Sequence, residues 1–193
     1  MSTLIFDTET TGLPIQIPNS RVHYPPTDYQ KYDGSRIIEI AYRISDENKN
    51  LKLEHNTLVK FQDVDIKNSN IHGITTEMVL EKGVDTTDML NTLEKHISDF
   101  NVKRIVAHNI EFDMNVLQAE CYRINKISLI EKLSNLEIYC TMKLGKQFML
   151  YYKYPKLIEL YNFVFLNMAK PFKQHSAASD CEACEKCYNA MIK

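Results

Sequence analysis

The sequence predicts an α/β layered domain: a mixed five-stranded sheet, an antiparallel meander plus parallel strands, flanked by helices. Period-two alternation dominates the first third of the chain. Helical spacing follows, broken by short apolar runs. Strands first, then helices interleaved with strands, imply helices packed on a mixed sheet. No linker divides the 193 residues, so one domain over 1–193 is expected.

Each element has its own signal. Thr3 to Thr8 is apolar and β-prone, a short buried strand. Residues 12–35 hold four of the six prolines and read as a long irregular loop. Arg36 to Ser45 and Leu51 to Phe61 alternate around a polar turn at 46–50, the pattern of an antiparallel hairpin. Thr86 to Phe100 carries Met89, Leu93, Ile97 and Phe100 at helical spacing, with Asp and Thr at its start as caps. Lys103 to Ala107 reads as a fourth strand and Leu136 to Cys140 as a fifth. Helices are expected over Asn109 to Asn125, Pro155 to Phe165 and Ser176 to Met191.

Composition excludes several classes. Lys plus Arg is 23 and Asp plus Glu is 25, a net charge of −2, which excludes a generally basic nucleic-acid coat but not a local basic patch. No uncharged apolar run approaches the roughly 18 residues of a membrane span, so no membrane partner is expected. The N-terminus lacks a positive region ahead of an apolar one, unlike a secretory signal. Five cysteines, an odd number, fit free thiols in a reducing compartment. An intracellular setting, cytoplasmic or nucleoid-associated, is therefore expected.

The carboxylates fall at informative places. Asp7 and Glu9 end the first strand, and residues i and i+2 of a strand face the same way. Negative charge at the rim of a core needs cations to neutralise it. Asp113 and Asp180 each lie early in a predicted helix, where the helix dipole alone would favour an acid. His175 falls just ahead of the second of those helices. Together, four carboxylates at strand and helix ends plus one His suit two divalent ions about 3.5–4 Å apart, the clamp for in-line phosphoryl displacement. Hard oxygen ligands favour Mg²⁺ or Mn²⁺. A His is suited to deprotonate the attacking water because its unperturbed pKa lies near neutrality.

Three ordered segments carry a family resemblance. DTETTGL at 7–13, AHNIEFD at 107–113 and HSAASD at 175–180 resemble the three motifs of the DEDDh (DnaQ-like) 3′–5′ exonucleases. RIIEIA at 36–41 and IHGIT at 71–75 resemble that family's second strand and substrate-facing loop. The resemblance implies a ribonuclease H-like fold and a 3′–5′ exonuclease that acts on single-stranded or frayed DNA ends and releases nucleoside 5′-monophosphates. It implies Asp7, Glu9, Asp113 and Asp180 as ligands of two Mg²⁺, with Mn²⁺ able to substitute, and His175 as general base. It further implies Thr8, Thr10, Leu13, His72, Asn109 and Phe112 around the terminal nucleotide. Cys140 stands where many relatives carry Asp. The implied partner is a single-stranded 3′ end. Proofreading would add a separate DNA polymerase. An RNA-trimming exoribonuclease and a non-catalytic polymerase-associated subunit are the alternative readings.

Two further features stand apart. Cys181, Cys184 and Cys187 have the spacing of an iron–sulfur run, but on a helix such positions drift by only about 60° per step and form one stripe. Buried packing is the expected role. Lys143 to Lys173 holds six lysines, one acid and many aromatics. That suits either a single-strand path or an amphipathic surface with buried rings.

Overall fold

A computed structural model of the protein describes residues 1–20, 22–166 and 175–192. Part of the basic stretch, residues 167–174, lies outside the described residues. The strands are β1 (Ser2–Thr10), β2 (Ile37–Ser45), β3 (Leu51–Lys60), β4 (Val84–Asp85), β5 (Val102–Ala107) and β6 (Glu137–Cys140). The helices are α1 (Ser69–His72), α2 (Thr76–Lys82), α3 (Thr86–Asp99), α4 (Ile110–Arg123), α5 (Ile127–Ser134), α6 (Thr141–Phe148), α7 (Leu157–Val164) and α8 (Ala177–Met191). The sheet order is β4-β3-β2-β1-β5-β6. The pairs β1–β2 and β2–β3 are antiparallel, and β1–β5, β5–β6 and β3–β4 are parallel. Among the described residues the expected five-stranded sheet is therefore corrected to six strands. The added strand, β4, is two residues paired to the end of β3, too short to carry a periodic signal.

Period two decides which helices each strand residue meets. Leu4 and Phe6 of β1 join a core with Ile40 and Tyr42 of β2 and the apolar stripes of α3, α4 and α5. Ile5 faces the other way, onto Cys184 and Tyr188 of α8. Asp7 and Glu9 continue the Ile5 series, so they emerge on the α8 side of the sheet.

The α8 register follows from a polar row on β2. Glu39, Ala41, Arg43 and Ser45 alternate along that strand. The Ala177 N–H donates to Glu39 Oε2 at 3.4 Å, and Cys181 Sγ donates to the Ala41 carbonyl at 3.1 Å. Arg43 Nε donates to Glu185 Oε2 at 2.6 Å, and the Ser45 hydroxyl donates to Glu185 Oε1. Four residues of helix rise about 6 Å, close to the roughly 6.8 Å of two strand residues. Successive turns of α8 thus meet successive residues of this row, which fixes where Asp180 sits.

Among its described residues the 12–35 loop is irregular apart from one 3-10 turn at Tyr29–Tyr32 and an isolated bridge between Gln16 and His23. Its ends close on each other: the Thr11 N–H donates to the Arg36 carbonyl at 2.9 Å. A Cβ on Gly12 would meet the Gly34 carbonyl oxygen at 2.8 Å, so that closure needs glycine. No helix among the described residues is long and apolar enough to cross a membrane.

Candidate active site

The site arises where β1 outlasts its neighbour. β1 pairs with β5 only through Ile5, opposite Val106, but stays paired with β2 out to Thr10. β5 ends at Ala107, Asn109 takes the left-handed conformation at φ 69°, and α4 starts at Ile110. The last residues of β1 are thereby left facing the first turn of α4. A crevice beyond strand ends at such a divergence is a general ligand position in α/β sheets. Asp113 fills it: its Oδ1 accepts from the Thr8 N–H at 3.1 Å and from the Thr8 hydroxyl at 2.8 Å. That main-chain donor would otherwise lack a β5 partner.

Asp7, Glu9 and Asp180 place one carboxylate oxygen each within 4.8 Å of one another. Like charges this close disfavour ionisation. Burial raises the Asp7 carboxyl well above its ordinary range, and Asp113, Asp180, Glu9 and Glu39 add to the rise. Burial first, then Asp180, Glu39 and Asp113, pushes Glu9 up to about 7. Asp113 is pushed up to about 7, chiefly by burial, against the opposing Thr8 hydrogen bonds. Asp180 rises to about 6, again through burial, although the His175 main chain opposes it. A cluster that resists ionisation in this way is a set of hard oxygen donors lacking counter-charge. It fits divalent cations bound by oxygen.

His175 is exposed, with its backbone left-handed at φ 58°. Its N–H donates to Asp180 Oδ2 at 2.9 Å. Together with Asp7 and Asp180 it lines a cavity of about 430 Å³, to whose lining His108, Tyr154 and Lys156 also contribute. His72 is 6% exposed. Its Nδ1 accepts from the Ile74 N–H at 3.1 Å, and Nε2 is buried with no hydrogen-bond partner among the described residues. Burial and the nearby His175 lower its pKa. Thr8 and Thr10 are buried, with the Thr10 hydroxyl donating to the Gly12 carbonyl at 2.7 Å. Leu13 is 77% exposed, Asn109 is exposed, and Phe112 is partly buried against the main core.

An exonuclease family model, RNase T, matches residues 4–188, nearly the whole chain and all three motif segments. The chain belongs to the RNase T exonuclease family. None of the curated proteins compared with this exonuclease-family chain matches it. Among solved structures, an exonuclease I is similar at TM-score 0.73 and 17% identity, covering 98% of this chain and 40% of that one. The zinc-bound form of an E. coli exonuclease I–ssDNA complex is similar at TM-score 0.70 and 18% identity, covering 99% and 40%. An exonuclease I from Methylocaldum szegediense is similar at TM-score 0.65 and 16% identity, covering 99% and 40%. At such identity the likeness speaks to the fold, a ribonuclease H-like α/β sheet. The chain spans about 40% of the length of these solved relatives.

Two residues of this exonuclease domain escaped sequence reasoning. Glu39 pairs across the ladder with Glu9 and holds the first N–H of α8. Its one signal was an acid inside the apolar run Ile37, Ile38, Ile40. His108 joins three segments: Nε2 lies 3.0 Å from the Pro155 carbonyl and Nδ1 lies 3.0 Å from the Thr141 hydroxyl. A carbonyl only accepts, so Nε2 carries the proton and Nδ1 accepts from Thr141. Burial lowers His108 to about 4.

Proposed function

We propose that this chain, as one exonuclease domain over 1–193, hydrolyses phosphodiester bonds from the 3′ end of single-stranded or frayed DNA and releases nucleoside 5′-monophosphates. The observation carrying the proposal is the convergence of Asp7, Glu9 and Asp180 within 4.8 Å, with Asp7 and Asp180 lining one cavity with His175. Family membership supports the reaction class, and solved neighbours in complex with ssDNA support DNA as the substrate.

Asp7, Glu9, Asp113 and Asp180 would hold two Mg²⁺, for which Mn²⁺ would substitute. Bound there, the ions would offset the carboxylate charge and would supply Lewis-acid stabilisation for the displacement. His175 accepts a proton from water on an imidazole nitrogen as the water oxygen bonds to phosphorus. The bond from phosphorus to the 3′ oxygen breaks, and that oxygen takes up a proton. Asp180 holds the His175 backbone and so orients the base. Leu13, His72, Asn109 and Phe112 surround the terminal nucleotide, while Thr8 and Thr10 support the strand beneath it.

The test is digestion of matched 5′-labelled single-stranded DNA and RNA in Mg²⁺, with EDTA and His175→Ala controls. A ladder shortening from the 3′ end, faster on DNA, is expected. EDTA should abolish it, and His175→Ala should slow it about 10²- to 10⁴-fold. Faster RNA digestion would replace the substrate assignment. No ladder on either substrate would overturn the enzyme reading.

A further inference from the structure

The segment from α6 into the start of α7 is built unlike the rest of the surface. Residues 143–156 hold four lysines and no acid in a chain whose net charge is −2. Tyr152 is 84% exposed, Tyr154 is 52% exposed and Leu150 is 93% exposed. These rings therefore do not serve the core, which Leu160 and Tyr161 serve instead. Lys146 Nζ lies 4.8 Å from the centre of the Tyr154 ring, and Lys153 Nζ lies 5.5 Å from that of Tyr151. Lys153 also donates to Glu159 Oε1 at 2.9 Å, and Lys143 donates to Glu111, so these two are engaged with carboxylates. The Tyr151 and Tyr152 rings are 5.1 Å apart. Tyr154 and Lys156 line the same cavity as Asp7, His175 and Asp180, so the patch is continuous with the candidate active site.

We infer that this surface is a binding platform for the nucleotides immediately preceding the 3′ end, with bases stacked on Tyr154 and Tyr152 and phosphates held by Lys146 and Lys156. The inference rests on the proposed exonuclease reading. The occupant follows from chemistry. Exposed rings offer stacking faces to any base, and interleaved ammonium groups match a polyanionic backbone. Divalent ions would offset the carboxylate charge only at the scissile phosphate, so the phosphates further from the 3′ end need an attractive track of their own. Lys146 over the Tyr154 ring also keeps a cation where a stacked base and its phosphate would meet.

The platform predicts length-dependent recognition. The full chain and a Tyr152→Ala/Lys146→Ala variant would be compared on a single-stranded 12-mer and on the p-nitrophenyl ester of thymidine 5′-monophosphate, which carries no preceding nucleotide. The preference for the 12-mer, as the ratio of the two kcat/KM values, should fall about tenfold or more in the variant. The salt dependence of 12-mer binding in Ca²⁺, read by anisotropy, should also become shallower by about 0.7 in logarithmic slope per lost phosphate contact. An unchanged ratio and slope would overturn the platform, as would an equal loss on both substrates. Wild-type protein that cleaves neither substrate would count against the exonuclease reading instead. The anisotropy comparison would still decide the platform in that case.

Discussion

Asp7 shows how one carboxylate sets function against stability. Its folded pKa is raised by burial and by four neighbouring acids, so the metal-free native state binds more protons than the unfolded chain above about pH 4. Stability therefore falls as pH rises through that window. Asp7→Asn removes one charge from the cluster. At pH 8 the metal-free variant should be more stable by about 1–2 kcal/mol, roughly 2–8 °C in Tm, and should match wild type near pH 4. Its turnover should be lost. Calorimetry with EDTA and a digestion assay check the two halves. Thr8 is the complementary case. Its hydroxyl and N–H both hold Asp113 Oδ1, so Thr8→Val should cost about 1 kcal/mol. It should also weaken Mn²⁺ affinity about 10- to 100-fold, measurable by titration calorimetry. The carboxylates and His175 were legible in sequence because their types and order are distinctive. The burden carried by Thr8 was not, because a strand threonine looks like any other until the helix opposite is placed.

At the scale of elements, α8 is the part on which the site depends. Glu185 joins it to Arg43 and Ser45 of β2, with the paired side chains largely buried. Removing Glu185 leaves Arg43 paired, among the described residues, with Glu54 alone, at 2.6 Å, and the Ser45 hydroxyl without its acceptor. Glu185→Ala should thus destabilise the protein by roughly 1–3 kcal/mol and lower activity by letting Asp180 drift, as denaturant unfolding and digestion would show. The cysteine stripe on α8 is packing: Cys181, Cys184 and Cys187 are all buried, and burial raises each thiol. Helices α3, α4 and α8 were readable from their apolar spacing. Helices α5 and α6 were not. Lys126 before α5 makes no side-chain cap, and α6 contains Gly145, a weak helix former. That glycine answers to tertiary packing, since a Cβ there would meet Leu160 side-chain carbons at 2.9 Å.

Across the whole molecule, two titrations oppose each other. His72 and His108 have lowered folded pKa values, with His108 near 4. Their contribution is present above about pH 6.5 and is lost as pH falls. The site carboxylates act in the reverse direction, favouring acid. Divalent metal removes only the carboxylate penalty. The gain in Tm on adding Mn²⁺ should therefore grow from pH 5.5 to pH 8, which thermal melts across that range would show. The layered architecture was legible from the order of alternating and helical segments. The sixth strand was not, because two residues cannot show a period.

That brevity has a further meaning. Among the described residues β4 pairs only with Val59 and Lys60 of the ten-residue β3, so Leu51 to Leu58 form an open edge. A neighbouring molecule seeking to extend the ladder there would meet the exposed Lys52 and Glu54, charges that oppose strand addition. At high concentration, the protein is thereby guarded against fibril-like association through its own strands.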